Sequence, residues 1–323
     1  MKYAVVIRSG GKNPEFLKKT LEDVRAQTIP PERVIVYLPE GTEAPDFRVG
    51  NEEYQWTQQG MMAQRILPYE DIDTPYILML DDDLELPVDS VQKLFTAMAE
   101  NDADCIGVDT FYAHKRSMGY KLYCIVTNFV FPHRSDWAFK VKNNGSFSYK
   151  SRPKKDYYPS QSCAGNLMLW KKSVYKDLQL ENEKWLDVLP FAYGDDLLET
   201  YKVYRNGYKL GVLFNSDIKH NYEREPGDAI HKKKDFFRLR GFAQLCVWWR
   251  ICYRPGDTTR LKKMMAATSF SLKIFWLFMM FAGVSVIKLN PTLATGYVKG
   301  LREGLKFVRS EKFKNLPPYV FNK

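Results

Sequence analysis

The feature that most constrains this chain is the segment YILMLDDD, in which an apolar run from Tyr76 to Leu80 passes directly into Asp81, Asp82 and Asp83. An apolar run this short, bounded by charge, reads as a buried strand. The residues before it keep the same rhythm. YAVVI (3–7) and RVIVYLP (33–39) are β-branched apolar runs. Between them, NPEFLKKTLEDVRAQT sets Phe16, Leu17, Leu21 and Val24 at helical spacing, with Asn13 before Pro14 as the helix start. Residues 59–69 form a second helical stretch. Strands that alternate with helices predict a parallel sheet covered by helices on both faces. Such sheets bind ligands beyond the carboxyl ends of their strands, which is where the three aspartates fall.

Beyond Pro87 the chain continues with the amphipathic helix VDSVQKLFTAMA and then, over residues 112–161, an aromatic, basic and turn-rich insertion. An insertion of that length inside a domain predicts a lid or an acceptor-binding loop, with Tyr157 and Tyr158 among the rings suited to sugar faces. Regular structure resumes in NLMLW, DDLLETYKVYRNGYK and KLGVLF. With 323 residues, about two domains are expected, and charge places the boundary. Residues 232–323 hold 19 Lys and Arg and four acids, a local +15 that leaves −5 on residues 1–231.

That basic third is also strongly apolar. In MMAATSFSLKIFWLFMMFAGVSVI one charge, Lys273, interrupts the run, and the clean part, Ile274 to Ile287, is shorter than the roughly 20 residues that span a bilayer. A re-entrant or interfacial hairpin is the first expectation, with a true span or a buried soluble helix as alternatives. The final helix puts Leu293, Tyr297, Leu301, Leu305 and Val308 on one stripe and Lys299, Arg302, Lys306 and Arg309 opposite, as in a helix lying on an anionic membrane surface. Arginines interleaved with long apolar stretches suit lipid and argue against nucleic acid. The five cysteines are an odd number with no C-x-x-C pair, which excludes a disulfide framework and a zinc site and predicts packing thiols in a cytosolic protein.

Three places can carry chemistry. Asp81, Asp82 and Asp83 repel one another at a sheet edge, and a hard divalent cation, Mg2+ or Mn2+, resolves that repulsion and can neutralise a diphosphate leaving group. The bland reading is an acidic loop that caps the next helix. Asp195 and Asp196 open a helix, where they either favour its N-terminus or supply a general base. His220 follows a strand by a few residues and is a metal ligand only if it converges with the aspartates.

These pieces, in this order, resemble glycosyltransferase family 2. LKKTLEDVRAQTIPPERVIVY is similar to the family's opening helix and second strand. GMMAQRILPYEDIDTPYILMLDDD resembles the Gly–Ala–Arg helix that leads to the metal-binding aspartates, with Arg65 at the arginine position. CAGNLMLWKKSVY resembles the acceptor-side segment beginning at Gly165, GDDLLETYKVYRNGYKLG the Glu-Asp helix with Asp195 in place of Glu, IKHNYE the late histidine motif, and GYVKGLREGLKF the tail of bacterial surface-polysaccharide members. The resemblance covers residues 1–231 and implies a GT-A fold, a Rossmann-like mixed sheet with helices on both faces, followed by a C-terminal helical membrane-associating region over 232–323. It implies an inverting transfer from a nucleoside-diphosphate-sugar to a glycan or lipid-linked glycan at the cytoplasmic face of the membrane. Asp81 and Asp83 would hold the metal and the ribose-diphosphate, His220 would complete the metal site and Arg65 would serve the donor. Asp196 would be the base, with Asp195 next in line, and Asp82, counted with Arg65 and Asp81 on the donor side, would set the turn or bind a group behind the metal site. Two departures stand out: YLPEG offers only Glu40 where members carry an acid for the base or ribose, and the first strand ends in IRSGGKNPE. A nucleotidyltransferase using SGGK, and a non-catalytic glycan-binding subunit docked on a membrane, are the rival readings.

Overall fold

The structure, a computed structural model, describes residues 1–109, 118–127, 131–189, 193–221 and 235–321. Its elements are β1 (Tyr3–Arg8), α1 (Pro14–Arg25), β2 (Arg33–Pro39), β3 (Glu53–Thr57), α2 (Met61–Arg65), β4 (Tyr76–Asp81), β5 (Leu84–Glu85), α3 (Ser90–Glu100), β6 (Cys105–Val108), α4 (Met118–Thr127), β7 (Phe131–His133), β8 (Phe139–Val141), β9 (Phe147–Lys150), β10 (Tyr157–Ser160), β11 (Leu167–Lys171), α5 (Lys172–Asp177), α6 (Asp195–Arg205), β12 (Leu210–Leu213), β13 (Lys219–His220), α7 (Phe236–Trp248), α8 (Arg260–Ile287), α9 (Thr292–Val308) and α10 (Glu311–Lys314). A 3-10 helix, Leu180–Val188, precedes α6.

Eight strands form one sheet in the order β10-β12-β6-β11-β4-β1-β2-β3. β4, β1, β2 and β3 are parallel, while β11 enters antiparallel between β4 and β6. The period of two sorts each strand between two cores. Tyr3, Val5 and Ile7 of β1 meet Leu17 and Leu21 of α1 and Leu94 of α3 on one face. Ala4 and Val6 join Leu198 of α6, Cys246 of α7, Phe270 of α8 and Val308 of α9 in the cluster on the other. The C-terminal helices therefore share a core with the sheet.

Three expectations need correcting. The helix expected over 59–69 is only Met61–Arg65, because Leu67 precedes Pro68, which disfavours helical backbone there. The insertion is not irregular. Its described part holds α4, the small sheet β7-β9-β8, and β10, which is an edge strand of the main sheet. Tyr157 and Tyr158 lie in that strand, paired with β12, and the Tyr158 hydroxyl accepts from Lys154 N at 2.8 Å, so both are structural. Third, the apolar run does not fold back on itself: α8 is one continuous 28-residue helix. Its inward stripe of Ala266, Phe270, Lys273, Leu277 and Phe281 faces protein, and the Lys273 ammonium donates to Asn144 O at 2.9 Å. By length and composition this helix suffices to cross a membrane, and Phe275, Trp276 and Met279 on its outer side are exposed.

The apolar stripe of α9 is likewise turned to protein. Gly241 of α7 and Gly300 of α9 have no Cβ to hold the backbones apart: one at Gly300 would fall on Arg238 O, and one at Gly241 on Tyr297 O. Lys299, Arg302, Lys306 and Arg309 stay exposed on the opposite side. All five cysteines are free thiols, four of them buried. The stretch proposed as the domain boundary, around His231, lies outside the described residues.

Candidate active site

The site is built where β1 and β4 end side by side, with Arg8 in register with Asp81. Arg8 is buried, and its Nη2 lies 2.7 Å from Asp81 Oδ1 and also donates to Gly165 O. The following turn is pinned from α1, whose Thr20 hydroxyl donates to the carbonyls of Asp82 and Leu84. Asp82 accepts from Ser9 Oγ at 2.5 Å, and burial pushes its carboxyl up to about 6. It is therefore tied to the β1 loop.

β13 brings His220 back to this edge by pairing antiparallel with β5, so that His220 sits opposite Leu84. One ligand atom each from Asp81, Asp83 and His220 falls within 4.8 Å of the others. Asp83 Oδ1 lies 3.1 Å from His220 Nε2, off the direction of a hydrogen bond, and this buried oxygen has no hydrogen-bond donor. Two carboxylates and an imidazole with an undonated buried oxygen fit a hard divalent cation of the Mn2+ or Mg2+ kind.

Asp195 and Asp196 open α6 after Gly194, whose φ of 82° is a conformation that favours glycine. Their charges lie at the positive end of that helix. The functional difference between them is exposure: Asp195 is buried and pushed up to about 6 by that burial and by Asp196, whereas the Asp196 side chain is 42% exposed. Arg65 joins both aspartates to the first cluster. Its Nη1 is 2.6 Å from Asp196 Oδ1, with Asp195 at 3.5 Å, Glu199 at 3.8 Å and Asp81 at 3.9 Å. Burial opposes the Arg65 charge, but Asp196 and its neighbours outweigh it and raise the guanidinium's pKa. A side chain at Gly165 would fall on Arg65 Nη1 and Asp196 Oδ1, so glycine there is what lets the pair meet. α2 is held in place from elsewhere, by Asp187 accepting from Met62 N and Ala63 N at 2.7 and 2.9 Å.

The residues expected to serve metal, donor and base thus come together at one cavity of about 390 Å³: Arg65, Asp81, Asp82, Asp83, Asp196 and His220 line it, with Asp195 behind Arg65. Glu40 is exposed past β2 and lies outside the lining, as does Lys12 of SGGK. Two residues were not anticipated. Arg8 had one signal, an arginine closing an apolar strand at the ligand edge. Glu199 had another, an acid one turn after Asp195 on the buried side of α6. It is fully buried, neither carboxylate oxygen has a hydrogen bond, and burial pushes it up to about 7.

Residues 3–147 match the model of the glycosyl transferase family 64 domain. No curated protein matches the chain. Among solved structures, S. aureus TarS is similar at 13% identity with a TM-score of 0.50, over 98% of this chain and 50% of that one, so the chain spans about half the length of that relative. S. aureus TarS 1-349 in complex with UDP-GlcNAc is similar at 12% identity with a TM-score of 0.46, over 94% of this chain and 89% of that one. The fold is GT-A-like, and the match to the glycosyl transferase family 64 domain covers its N-terminal part.

Proposed function

We propose that the chain is an inverting, metal-dependent glycosyltransferase of the family 2 type, moving a sugar from a nucleoside-diphosphate-sugar to a hydroxyl of a lipid-linked glycan. The observation that carries this reading is the convergence of the Asp81–Asp83–His220 cluster and the Arg65-held Asp196 on one cavity. A bound Mn2+ or Mg2+ would neutralise charge on the departing nucleoside diphosphate. Asp81, Asp83 and His220 would hold it. Arg65 fixes the Asp196 carboxylate, which takes the proton from the acceptor hydroxyl as that oxygen attacks the anomeric carbon from the face opposite the leaving group. Asp195, buried behind Arg65 and outside the lining of that cavity, supports Asp196.

A screen of nucleotide-sugars with manganese, read by released nucleoside diphosphate, tests the reaction. Activity is expected to vanish with chelator and return with metal; full activity in excess chelator ends the metal assignment. Release of pyrophosphate would favour the nucleotidyltransferase reading.

Attachment to the cytoplasmic face of the membrane is the second part of the proposal. It is supported by the exposed apolar side of α8 beside the exposed basic side of α9. Each basic residue near an anionic surface contributes about 1 kcal/mol. The full chain is expected to float with anionic vesicles and to do so less in high salt. Protein that stays in the supernatant at low salt would mean the outer side of α8 is covered by protein instead.

A further inference from the structure

A second cavity, about 260 Å³, opens beside the first, and among the described residues Asp196 alone lines both. Its walls come from three parts of the chain that the donor site does not use. One is the tip of the β8–β9 hairpin, Gly145 to Phe147; another is α7, through Ala243, Gln244 and Val247; the third is Lys273 of α8. The N-terminus of α6 closes the remaining side.

This cavity is built rather than incidental. The hairpin tip is a tight turn, with Gly145 at φ 71° and Ser146 N donating to Asn144 Oδ1 at 3.0 Å. Two helices grip it by its backbone: Trp248 Nε1 donates to Asn143 O at 3.0 Å, and Lys273 Nζ donates to Asn144 O at 2.9 Å. On the helix side the polar groups are matched to each other, the Tyr297 hydroxyl donating to Gln244 Oε1 and Gln244 Nε2 donating to Tyr193 Oη, both at 2.6 Å. Ser146 is the exception. It lines the cavity, is only 2% exposed, and its hydroxyl has no hydrogen-bond partner. A buried hydroxyl left unmatched is destabilising, and one placed among matched groups points to a ligand that completes it.

We infer that this cavity is the acceptor subsite, taking a hydroxyl-bearing glycan unit whose attacking oxygen reaches Asp196 and whose neighbouring hydroxyl pairs with Ser146. The inference rests on the proposed glycosyl transfer and deepens it: acceptor choice is set by the hairpin tip and the C-terminal helices, not by the sheet edge that binds the donor. Phe147 supplies an aromatic wall for a sugar face, and Lys273 is a positioning residue that holds the tip in place. The volume, just below the roughly 300 to 1,000 Å³ of ligand pockets, suits one ring rather than an extended chain.

The test uses the full chain, a radiolabelled nucleotide-sugar identified by the donor screen, and two readouts. One is release of free sugar by hydrolysis without acceptor; the other is transfer to a glycan and glycolipid extract of the source cells. Ser146→Ala removes a buried hydroxyl that makes no internal bond, so its melting temperature should equal or exceed that of wild type. Its transfer kcat/KM is expected to fall about 5- to 10-fold more than its hydrolysis. Val247→Phe fills the cavity and should cut transfer about 10²-fold relative to hydrolysis. Equal losses of both activities in the two variants, or no loss in either, overturn the acceptor assignment. A wild-type chain that neither hydrolyses nor transfers overturns the glycosyltransferase mechanism itself, and the subsite with it.

Discussion

Two buried charge clusters meet α6, one through Asp195, Asp196 and Glu199 in its first turns and one through Lys202 nearer its end, and they are built on opposite principles. Around Glu183 the carboxylate's hydrogen bonding is complete. Its carboxylate accepts from Arg250 Nη2 and Nε at 2.7 and 2.9 Å, from Lys202 Nζ at 3.0 Å and from Trp185 Nε1 at 2.9 Å. Arg250 Nη1 goes on to Pro317 O at 2.7 Å. Burial works against the Glu183 charge, but Arg250 and Lys202 outweigh it and hold its pKa below the ordinary value. Around Arg65 the balance is incomplete. Only Asp196 reaches hydrogen-bond distance, Asp195, Glu199 and Asp81 stand at 3.5 to 3.9 Å, and acids outnumber the arginines. Burying an ion costs several kcal/mol unless its partners are well placed. A cluster that meets that cost with its own side chains is scaffold. One that leaves it unmet at a cavity is where a cation or a substrate completes the set.

The sharpest way to separate the two is to remove one carboxylate from each. Asp196→Asn keeps size and loses basicity, so turnover should fall by about 10² to 10⁴ while the melting temperature holds. Unchanged turnover would move the base to Asp195. Glu183→Ala leaves Lys202 and Arg250 buried without an acid, and should destabilise the fold by about 3 to 5 kcal/mol. Urea unfolding measures it. A loss under about 1 kcal/mol would mean that the cluster does not clamp the C-terminal segment to α6.

The contrast also explains what could be read in advance. β1, β2, β4, α1, α3 and α6 were legible because each carries its own apolar period and its own start or stop signal. The aspartates of the candidate metal cluster and Asp196 were legible because aspartates follow a buried run or open a helix. The Glu183 cluster was not, since Glu183, Lys202 and Arg250 are ordinary charges in sequence and become a unit only when three distant segments meet. The same holds for α9. Its stripe has the period of a membrane-surface helix, and only the approach allowed by Gly241 and Gly300 turns it toward α7 instead. β3, with a half-exposed EYQWT, had too little apolar alternation to declare itself. The insertion read as a loop because its strands are three and four residues long.

The smallest expected effect is at Glu199, and it tests the comparison directly, because this is the acid that the Arg65 cluster holds without a hydrogen bond. Burial pushes its carboxyl from the ordinary 4.5 up to about 7. Between those pH values the folded protein keeps a proton that the unfolded chain has released, so stability falls as pH rises through the window, and the penalty is complete above about 7. Glu199→Gln keeps the shape and cannot ionise. It should therefore be more stable than wild type at pH 8, by about 1 to 3 kcal/mol, with the gain gone near pH 4.5. Chemical denaturation at a series of pH values reads this without requiring activity. If Glu199→Gln is instead less stable at every pH, the Glu199 carboxylate is a true counter-charge to Arg65 at 3.8 Å. The two clusters would then be variants of one scaffold device, and the incomplete balance at Arg65 would no longer mark the site.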